Sequence, residues 1–136
     1  MEMERKGFAV FGILEGLSSG KILLIQDKNK PAPSMWKLPG GKSEKGESSI
    51  IALIRELEEE LKINILPLND KDVVFEKNLD SHIFMVYKVN YISKAEVGEE
   101  IEKLKLFSVA EIKGMIAHNE ILPRHAQALN AYMLSF

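Results

Sequence analysis

The sequence predicts an α+β domain in which a mixed β-sheet is covered by helices on its faces. Segments rich in β-branched, aromatic and other apolar residues alternate with segments whose apolar residues recur every three or four positions. Their order is strands, helix, strands, helices, without an internal repeat or an interdomain linker. With 136 residues, 46% of them hydrophobic and 28% charged, the chain fits one domain, which we expect to cover residues 1–136.

Charge and residue types exclude several classes of protein. A net charge of −2, with lysines scattered among the acids, gives no electrostatic reason to expect binding to nucleic acid or to anionic membranes. The absence of cysteine excludes disulfides, thiolate metal sites and cysteine nucleophiles. The apolar runs are too short to span a bilayer, and the first one is interrupted by glycine, as in a strand rather than a signal peptide. We therefore expect a cytoplasmic enzyme or binding domain.

Two strands are predicted near the N-terminus. They are FAVFGILE (8–15) and KILLIQ (21–26), and the GLSSG between them suits a hairpin turn. A polar, proline-bearing loop (27–34) follows. In MWKLPGG, Pro39 and the two glycines are then expected to break any regular element.

The central segment predicts an amphipathic helix from about Ser48 to Leu61. Either Ser48 or Ser49 can serve as its N-cap. Its apolar residues recur at three- and four-residue spacing and are Ile50, Leu53, Ile54, Leu57 and Leu61. Of these, Leu53, Leu57 and Leu61 form the face that we expect to pack against the sheet.

The second half of the chain predicts strands followed by helices. DVVFEK (72–77) and HIFMVYKVNYI (82–92) are predicted strands, KAEVGEE (94–100) is a polar loop, and IEKLKLFSV (101–109) alternates like a short strand. VAEIKGMIA and LPRHAQALNAYML predict two closing helices, with Pro123 near the start of the second.

Three carboxylates share one side of the central helix. At about 100° per residue, Glu56, Glu59 and Glu60 fall within a sector of roughly 100°, beside the leucine face. Upstream, the Gly40–Gly41 turn offers backbone carbonyls that no side chain shields. These hard oxygen atoms, with no histidine nearby in sequence, suit Mg²⁺ or Mn²⁺ rather than Zn²⁺. The alternative is a solvated face, which is the usual role of a glutamate-rich helix.

The wider spacing favours the metal site. Gly41, five residues, Glu47, seven residues and then R-E-L-x-E-E-x-x-I, ending at Ile63, resemble the Nudix box G-x5-E-x7-R-E-U-x-E-E-x-G-U, where U is a bulky aliphatic residue. Lys62 departs, because the family has glycine there to end the helix in a left-handed conformation. We expect Lys62 to adopt that conformation at a cost of about 1 kcal/mol, or the helix to end differently with Asn64.

The resemblance is close over residues 41–63 and looser over WKLPGG and the flanking strands. It implies the Nudix α/β/α sandwich. It also implies metal-dependent hydrolysis of the diphosphate bond in a nucleoside diphosphate derivative, such as a nucleoside triphosphate or a nucleotide sugar, with Mg²⁺ or Mn²⁺ as cofactor. A small nucleotide is then the expected partner, no nucleic acid or membrane is expected, and a homodimer stays open. The alternative is a Nudix-like module that senses a nucleotide or binds a protein.

The resemblance also implies roles for the box residues. Glu59 and Glu60 are the expected metal ligands, with the Gly40 carbonyl as a third. Glu56 is either a ligand or the catalytic base, and Glu59 belongs with it in the catalytic set. Arg55 looks like an orienting partner for a box carboxylate and is counted with that set, although a purely structural role for it is equally open.

Two further roles rest on the resemblance. Glu47 looks like a support for the site or an extra ligand when several metals bind, with a purely structural role equally open. Many family members add a carboxylate from a later loop, and Glu100 is the first choice for it, as catalytic group and metal ligand. Glu99 is the second choice, and a solvated loop is the alternative for both.

The aromatic and histidine residues give separate expectations. Trp36, the only tryptophan, is expected to lie at least partly in the core rather than to stack on a base. Phe84 and Tyr87 are expected to pack in the sheet. Arg124 and His125 lie at a predicted helix start, where an anion is favoured, so a phosphate contact there stays open.

Overall fold

The computed structural model describes residues 6–16, 19–28, 35–91, 95–96, 98–99 and 101–135. In chain order the elements are β1 (Gly7–Leu14), β2 (Ile22–Asp27), β3 (Gly40–Lys42), α1 (Ser49–Leu61), a short 3₁₀ turn (Asp70–Asp72), β4 (Val73–Asn78), β5 (His82–Val89), β6 (Ile101–Phe107), α2 (Val109–Ala117) and α3 (Pro123–Met133). No helix among these residues combines the length and the apolar character that crossing a membrane requires.

The centre of the fold is a four-stranded mixed sheet in the order β3-β1-β5-β4. Strands β1 and β5 run parallel, with Gly7 opposite His82, while β3 and β4 add antiparallel edges. Strands β2 and β6 form a separate antiparallel pair. The predicted mixed sheet is therefore confirmed.

Helices cover both faces of this sheet, because β1 buries alternate side chains on opposite sides. Phe11 and Ile13 belong to one apolar cluster, to which α2 and α3 contribute. Val10 and Leu14 belong to the other, which α1 completes. This arrangement confirms the α/β/α sandwich and places α1 on one face of β1.

The bounds of α1 agree with its capping chemistry. The Ser48 side chain accepts a hydrogen bond from the Ile51 N–H at 3.2 Å, as an N-cap does. At the other end Lys62 takes the left-handed conformation (φ 55°, ψ 34°), and its N–H donates to the Glu58 carbonyl. The first of the two expectations for Lys62 is therefore the one observed.

The leucine face of α1 is the face that packs against the sheet. Leu53, Leu57 and Leu61 are fully buried, whereas Ile54, which shares the apolar spacing, is 41% exposed. Ile54 is rotated by about 100° from Leu53, which turns it away from the sheet.

One further expectation is wrong. The Gly40–Gly41 segment does form a regular element, since β3 pairs with β1 and Gly40 lies opposite Phe11. This pairing depends on a distant strand, which no single segment encodes by itself.

The chain does reverse between β1 and β2, as the hairpin turn predicted there requires. Glu15 forms an antiparallel bridge with Ile22, and the Gly16 N–H donates to the Lys21 carbonyl at 2.8 Å. Beyond this turn the two strands belong to different sheets.

The aromatic expectations hold. Trp36 is partly buried, and its ring lies 4.9 Å, centroid to centroid, from that of Phe107 at the edge of a core cluster. Phe84 and Tyr87 are buried side chains of β5. These rings therefore pack within the fold.

Candidate metal centre

The carboxylates of α1 lie beside the Gly40–Gly41 turn because β1 holds that turn in place through β3. Gly40 has a φ of +143°, and a side chain there would overlap the Val10 carbonyl. A Cβ on Gly41 would lie 2.6 Å from the Glu56 carboxylate. The double glycine is therefore required by the contact between turn and helix.

Glu60 is tied directly to the turn. The Gly40 N–H donates to Glu60 Oε1 at 2.7 Å. This bond brings the backbone of residue 40 and the Glu60 carboxylate together, two of the groups that the sequence assigns to the metal. The donor is an N–H, which the sequence does not single out.

Arg55 donates hydrogen bonds to three carboxylates near the double glycine, those of Glu47, Glu56 and Glu59. Its Nε and one terminal nitrogen donate to the two oxygens of Glu47 at 2.8 and 2.9 Å. Its Nη1 donates to Glu56 at 3.1 Å and to Glu59 at 3.3 Å. In addition, Arg55 Nη2 donates to the Lys42 carbonyl at 3.1 Å. Arg55 thus connects the loop after β3 to two carboxylates of α1.

The pair of Arg55 and Glu47 is the tightest ion pair of the site. The hydrogen bonds from Arg55 lower the pKa of Glu47 to about 2, and those to Glu47 raise the pKa of Arg55 further above its usual range. Such bidentate geometry fixes the direction of the guanidinium. Both residues therefore stay charged across the physiological range and orient the carboxylates next to them.

Glu60 carries the strongest electrostatic perturbation. Burial raises its pKa to about 8, although the hydrogen bond from Gly40 and the charge of Lys37 oppose this. The charges of Glu56 and Asp27 also contribute to this increase. Burial, only partly offset by the Gly40 N–H and by Lys37, therefore disfavours the charged form of Glu60.

Glu56 is also half-buried. Burial raises its pKa, the hydrogen bond and charge of Arg55 lower it, and Glu59 and Glu47 raise it again. Glu59 differs, because its side chain is 60% exposed and its hydrogen bond is the longest that Arg55 makes to a carboxylate. Of Glu56, Glu59 and Glu60, Glu59 is thus the carboxylate least confined by the fold.

The C-terminal end of α1 adds negative electrostatic potential to the region of the carboxylates. Glu59 and Glu60 lie in the last turn of α1, where the partial charge of the helix is negative and no basic residue compensates it. Their carboxylates and the Gly40 carbonyl offer oxygen atoms, the type of donor that hard divalent cations prefer.

The carboxylates of α1 are held by separate hydrogen-bond donors. Arg55 holds Glu56 and Glu59 through a shared nitrogen, while Glu60 turns to the Gly40 N–H. In the part of the chain that the structure describes, no group of three or more His, Asp or Glu side chains is placed to hold a metal. As the structure shows them, the carboxylates of α1 therefore do not converge on one point.

The later acidic loop reaches the same helix end. The Gly98 N–H donates to the Glu60 carbonyl at 2.8 Å, and the Glu96 N–H donates to the Leu61 carbonyl at 2.7 Å. Glu99 is exposed. Glu100, the first choice for an additional carboxylate, lies outside the described residues, so its role stays a prediction.

The sequence gives no prediction for two charged residues that act on Glu60, Lys37 and Asp27. Lys37 Nζ lies 3.4 Å from Asp27 Oδ2 and 5.3 Å from the centroid of the Phe11 ring. The signal available was the position of Lys37 within WKLPGG, three residues before the turn. Its side chain, only 17% exposed, adds a second cation, besides Arg55, to this acidic region.

His125 is a buried, hydrogen-bonded residue of the core rather than an anion-binding residue. It is 5% exposed, and its Nδ1 accepts a hydrogen bond from the Leu38 N–H at 3.1 Å, which requires the neutral ring. Burial, followed by the charges of Lys37 and Arg124, lowers its pKa to about 3. Arg124 is exposed and lies 5.6 Å from the Phe84 ring centroid, so a phosphate contact by Arg124 stays a prediction.

Comparison with known proteins identifies the domain. Residues 3–130 match the family profile described as NUDIX domain. A solved structure of MutT, from a study of Aliivibrio salmonicida and Vibrio cholerae, superposes with a TM-score of 0.79 at 22% identity, covering 97% of this chain and all of that one. The Escherichia coli ORF135 protein gives a TM-score of 0.70 at 25% identity, over 96% of this chain and 90% of that one.

Two relatives have names that describe a reaction. The m7GpppN-mRNA hydrolase of Saccharomyces cerevisiae is 30% identical over 112 residues, which is 79% of this chain but only 11% of that protein. The ADP-ribose pyrophosphatase of Methanocaldococcus jannaschii is 48% identical over 52 residues, or 38% of this chain and 30% of that protein. The chain thus matches only a small part of the length of these curated relatives.

Proposed function

Because the chain belongs to the Nudix family, we propose that it is a metal-dependent pyrophosphohydrolase. Its reaction would be cleavage of the diphosphate bond of a nucleoside diphosphate derivative by attack of water on phosphorus. The observation that carries the proposal is the meeting of the α1 carboxylates with the Gly40–Gly41 turn. Every charged position of the box is present in that arrangement, namely Glu47, Arg55, Glu56, Glu59 and Glu60.

The residues proposed to hold Mg²⁺ or Mn²⁺ are the Gly40 carbonyl, Glu56, Glu59 and Glu60, with Glu100 as an additional ligand. Such a cation would offset the negative charge of the phosphoanhydride and lower the pKa of bound water. The all-oxygen donors and the raised pKa of Glu60 support this assignment.

We propose Glu56 as the first candidate for the base that takes the proton of the attacking water. Its pKa is raised by burial, and a carboxylate whose pKa lies closer to neutrality accepts a proton more readily. Arg55 would keep it oriented through the 3.1 Å hydrogen bond. Glu59 and Glu100 are the other candidates for this role.

The names of two relatives support a proposal for the substrate class. An ADP-ribose pyrophosphatase and an m7GpppN-mRNA hydrolase both have names that specify a nucleotide in an acid anhydride. The net charge of −2 gives no support for an extended RNA substrate, so we propose a small nucleotide. We propose that Lys37, whose charge acts on Glu60, meets one of the nucleotide's anionic oxygens.

The test is a hydrolysis panel with Mg²⁺ and with Mn²⁺. It should contain nucleoside triphosphates, ADP-ribose, UDP-sugars and a cap dinucleotide, with products separated by anion-exchange chromatography. Glu59→Gln should lower kcat about 100-fold or more on the best substrate, because it removes one ligand charge without changing shape. The matched control is Glu58→Gln, an exposed neighbour on the same helix, which should leave kcat unchanged.

Two outcomes would contradict the proposal. One is a wild-type protein that hydrolyses nothing in the panel yet binds a nucleotide in calorimetry, which is the behaviour of a sensing module. The other is a Glu59→Gln variant that is as active as Glu58→Gln.

A further inference from the structure

The last turn of α1 depends on a distant segment for its hydrogen bonds. A helix leaves its final carbonyl groups without partners inside the helix. Here Lys62 satisfies the Glu58 carbonyl, but the Glu60 and Leu61 carbonyls accept hydrogen bonds from the N–H groups of Gly98 and Glu96. Backbone from the loop before β6 therefore completes the end of the helix that carries the proposed metal ligands.

Gly98 lies against that helix end without space for a side chain. A Cβ on Gly98 would lie 2.7 Å from the Glu60 carbonyl oxygen and 2.8 Å from the Glu59 carbonyl oxygen. Both atoms belong to the backbone, so they can yield only if the turn of α1 or the loop moves. The φ of Gly98 is not in the left-handed region, so alanine is excluded by the neighbouring carbonyls rather than by backbone conformation.

A movement of this turn would displace the acidic groups. The Glu60 side chain is fixed at its other end by the 2.7 Å hydrogen bond from the Gly40 N–H. Residues that support ligands typically contribute about 10–100-fold to metal affinity or activity, and misplacement by about 1 Å can cost roughly 100-fold in rate. The contact at Gly98 is therefore placed to affect the site through the positions of Glu59 and Glu60.

We infer that Gly98 is a positioning residue for the acidic site, in that its bare backbone sets where the Glu59–Glu60 turn lies relative to Gly40. This inference rests on the proposed function for its link to catalysis. It adds a residue outside the box, 38 positions after Glu60, to the residues that determine divalent-cation binding.

The test compares Gly98→Ala with Gly114→Ala. Gly114 is exposed, a Cβ there would meet nothing within 4 Å, and alanine favours the helix around it. Mn²⁺ binding, measured by electron paramagnetic resonance without nucleotide, should weaken about 10-fold or more in Gly98→Ala and stay unchanged in Gly114→Ala. On the best panel substrate, kcat should fall by a similar factor, while KM at saturating metal should change less than about twofold.

Folding must be controlled separately. Thermal unfolding and circular dichroism show whether Gly98→Ala folds. If it does not fold, amide hydrogen exchange in the wild-type protein replaces it. The Gly98 amide should be protected, because it donates to the Glu60 carbonyl. Saturating Mg²⁺ should slow its exchange further, because a cation bound by Glu59 and Glu60 would hold in place the helix turn that contains this carbonyl.

The inference is overturned if folded Gly98→Ala binds Mn²⁺ and turns over substrate like Gly114→Ala. It is also overturned if the wild-type Gly98 amide exchanges at the same rate with and without Mg²⁺. A wrong proposed function gives a different result, namely a wild-type protein that hydrolyses nothing in the panel. The Mn²⁺ measurement on Gly98→Ala and Gly114→Ala then still decides whether Gly98 positions the Glu59–Glu60 turn.

Discussion

Lys62 ends α1 in a conformation that costs most residues free energy. Its left-handed backbone directs the N–H to the Glu58 carbonyl. The position was predictable because the box requires glycine there. The hydrogen bond from Gly40 to Glu60 was not predictable in the same way, since it depends on how a distant turn packs against the helix.

Replacing this lysine should stabilise the protein. We expect Lys62→Gly to raise the free energy of unfolding by up to about 1 kcal/mol, because glycine adopts a positive φ without the steric cost of a Cβ. Activity should be unchanged, since Lys62 is exposed and supplies no ligand. Urea unfolding and kcat on the best substrate check this, and a large loss of turnover would refute it.

At the scale of elements, single segments were easier to predict than their pairing. The strands and helices with clear apolar periodicity were found within a few residues, including α1 and both closing helices. Strand β3 was missed because three residues rich in glycine carry no periodic signal, and it exists through its pairing with β1. The contact of the Gly98 segment with α1 has the same origin, because it joins backbone groups whose side chains give no sign of it.

The attachment of α3 to the segment before β3 should depend on pH. His125 accepts the Leu38 N–H only when neutral, and its pKa is lowered to about 3 in the fold from the ordinary 6.5. The unfolded chain therefore binds more protons between these values. The contribution of His125 to stability should be complete above pH 6.5 and be lost progressively as the pH falls toward 3, with a slope of up to about 1.4 kcal/mol per pH unit.

Unfolding in urea at several pH values measures this slope. In His125→Asn, whose amide oxygen can replace Nδ1 as acceptor, stability at neutral pH should be lower but the slope below pH 6.5 should be smaller. The exposed His118→Asn variant should keep the wild-type slope. An unchanged slope in His125→Asn would show that other groups cause the acid sensitivity.

At the scale of the whole molecule, two apolar clusters share one strand. Side chains of β1 enter both, so α1 on one face and α2 with α3 on the other depend on the same backbone. The sandwich itself could be predicted from the box and the order of elements. Apolar spacing alone predicts only in part which residues close each face, since Ile54 shares that spacing and is exposed.

The shared strand should make unfolding a single transition. Leu57→Ala on one face and Leu129→Ala on the other remove fully buried side chains, so each should lower the free energy of unfolding by about 2–5 kcal/mol. Fluorescence of Trp36 and far-ultraviolet circular dichroism should give coincident urea curves in both variants. Leu134→Ala, at a side chain that is 85% exposed, should change stability by less than about 0.5 kcal/mol. Separate transitions would mean that the two faces unfold independently.

The parallel pairing of β1 with β5 has a consequence for folding during synthesis of the chain. Gly7 and its partner His82 lie 75 positions apart, so the middle of the sheet cannot pair until the chain between them has been synthesised. Until then β1 is an apolar segment with an unpaired edge, of the kind that chaperones bind and that aggregates recruit. The yield of folded domain should accordingly depend on the speed of translation and on chaperone supply.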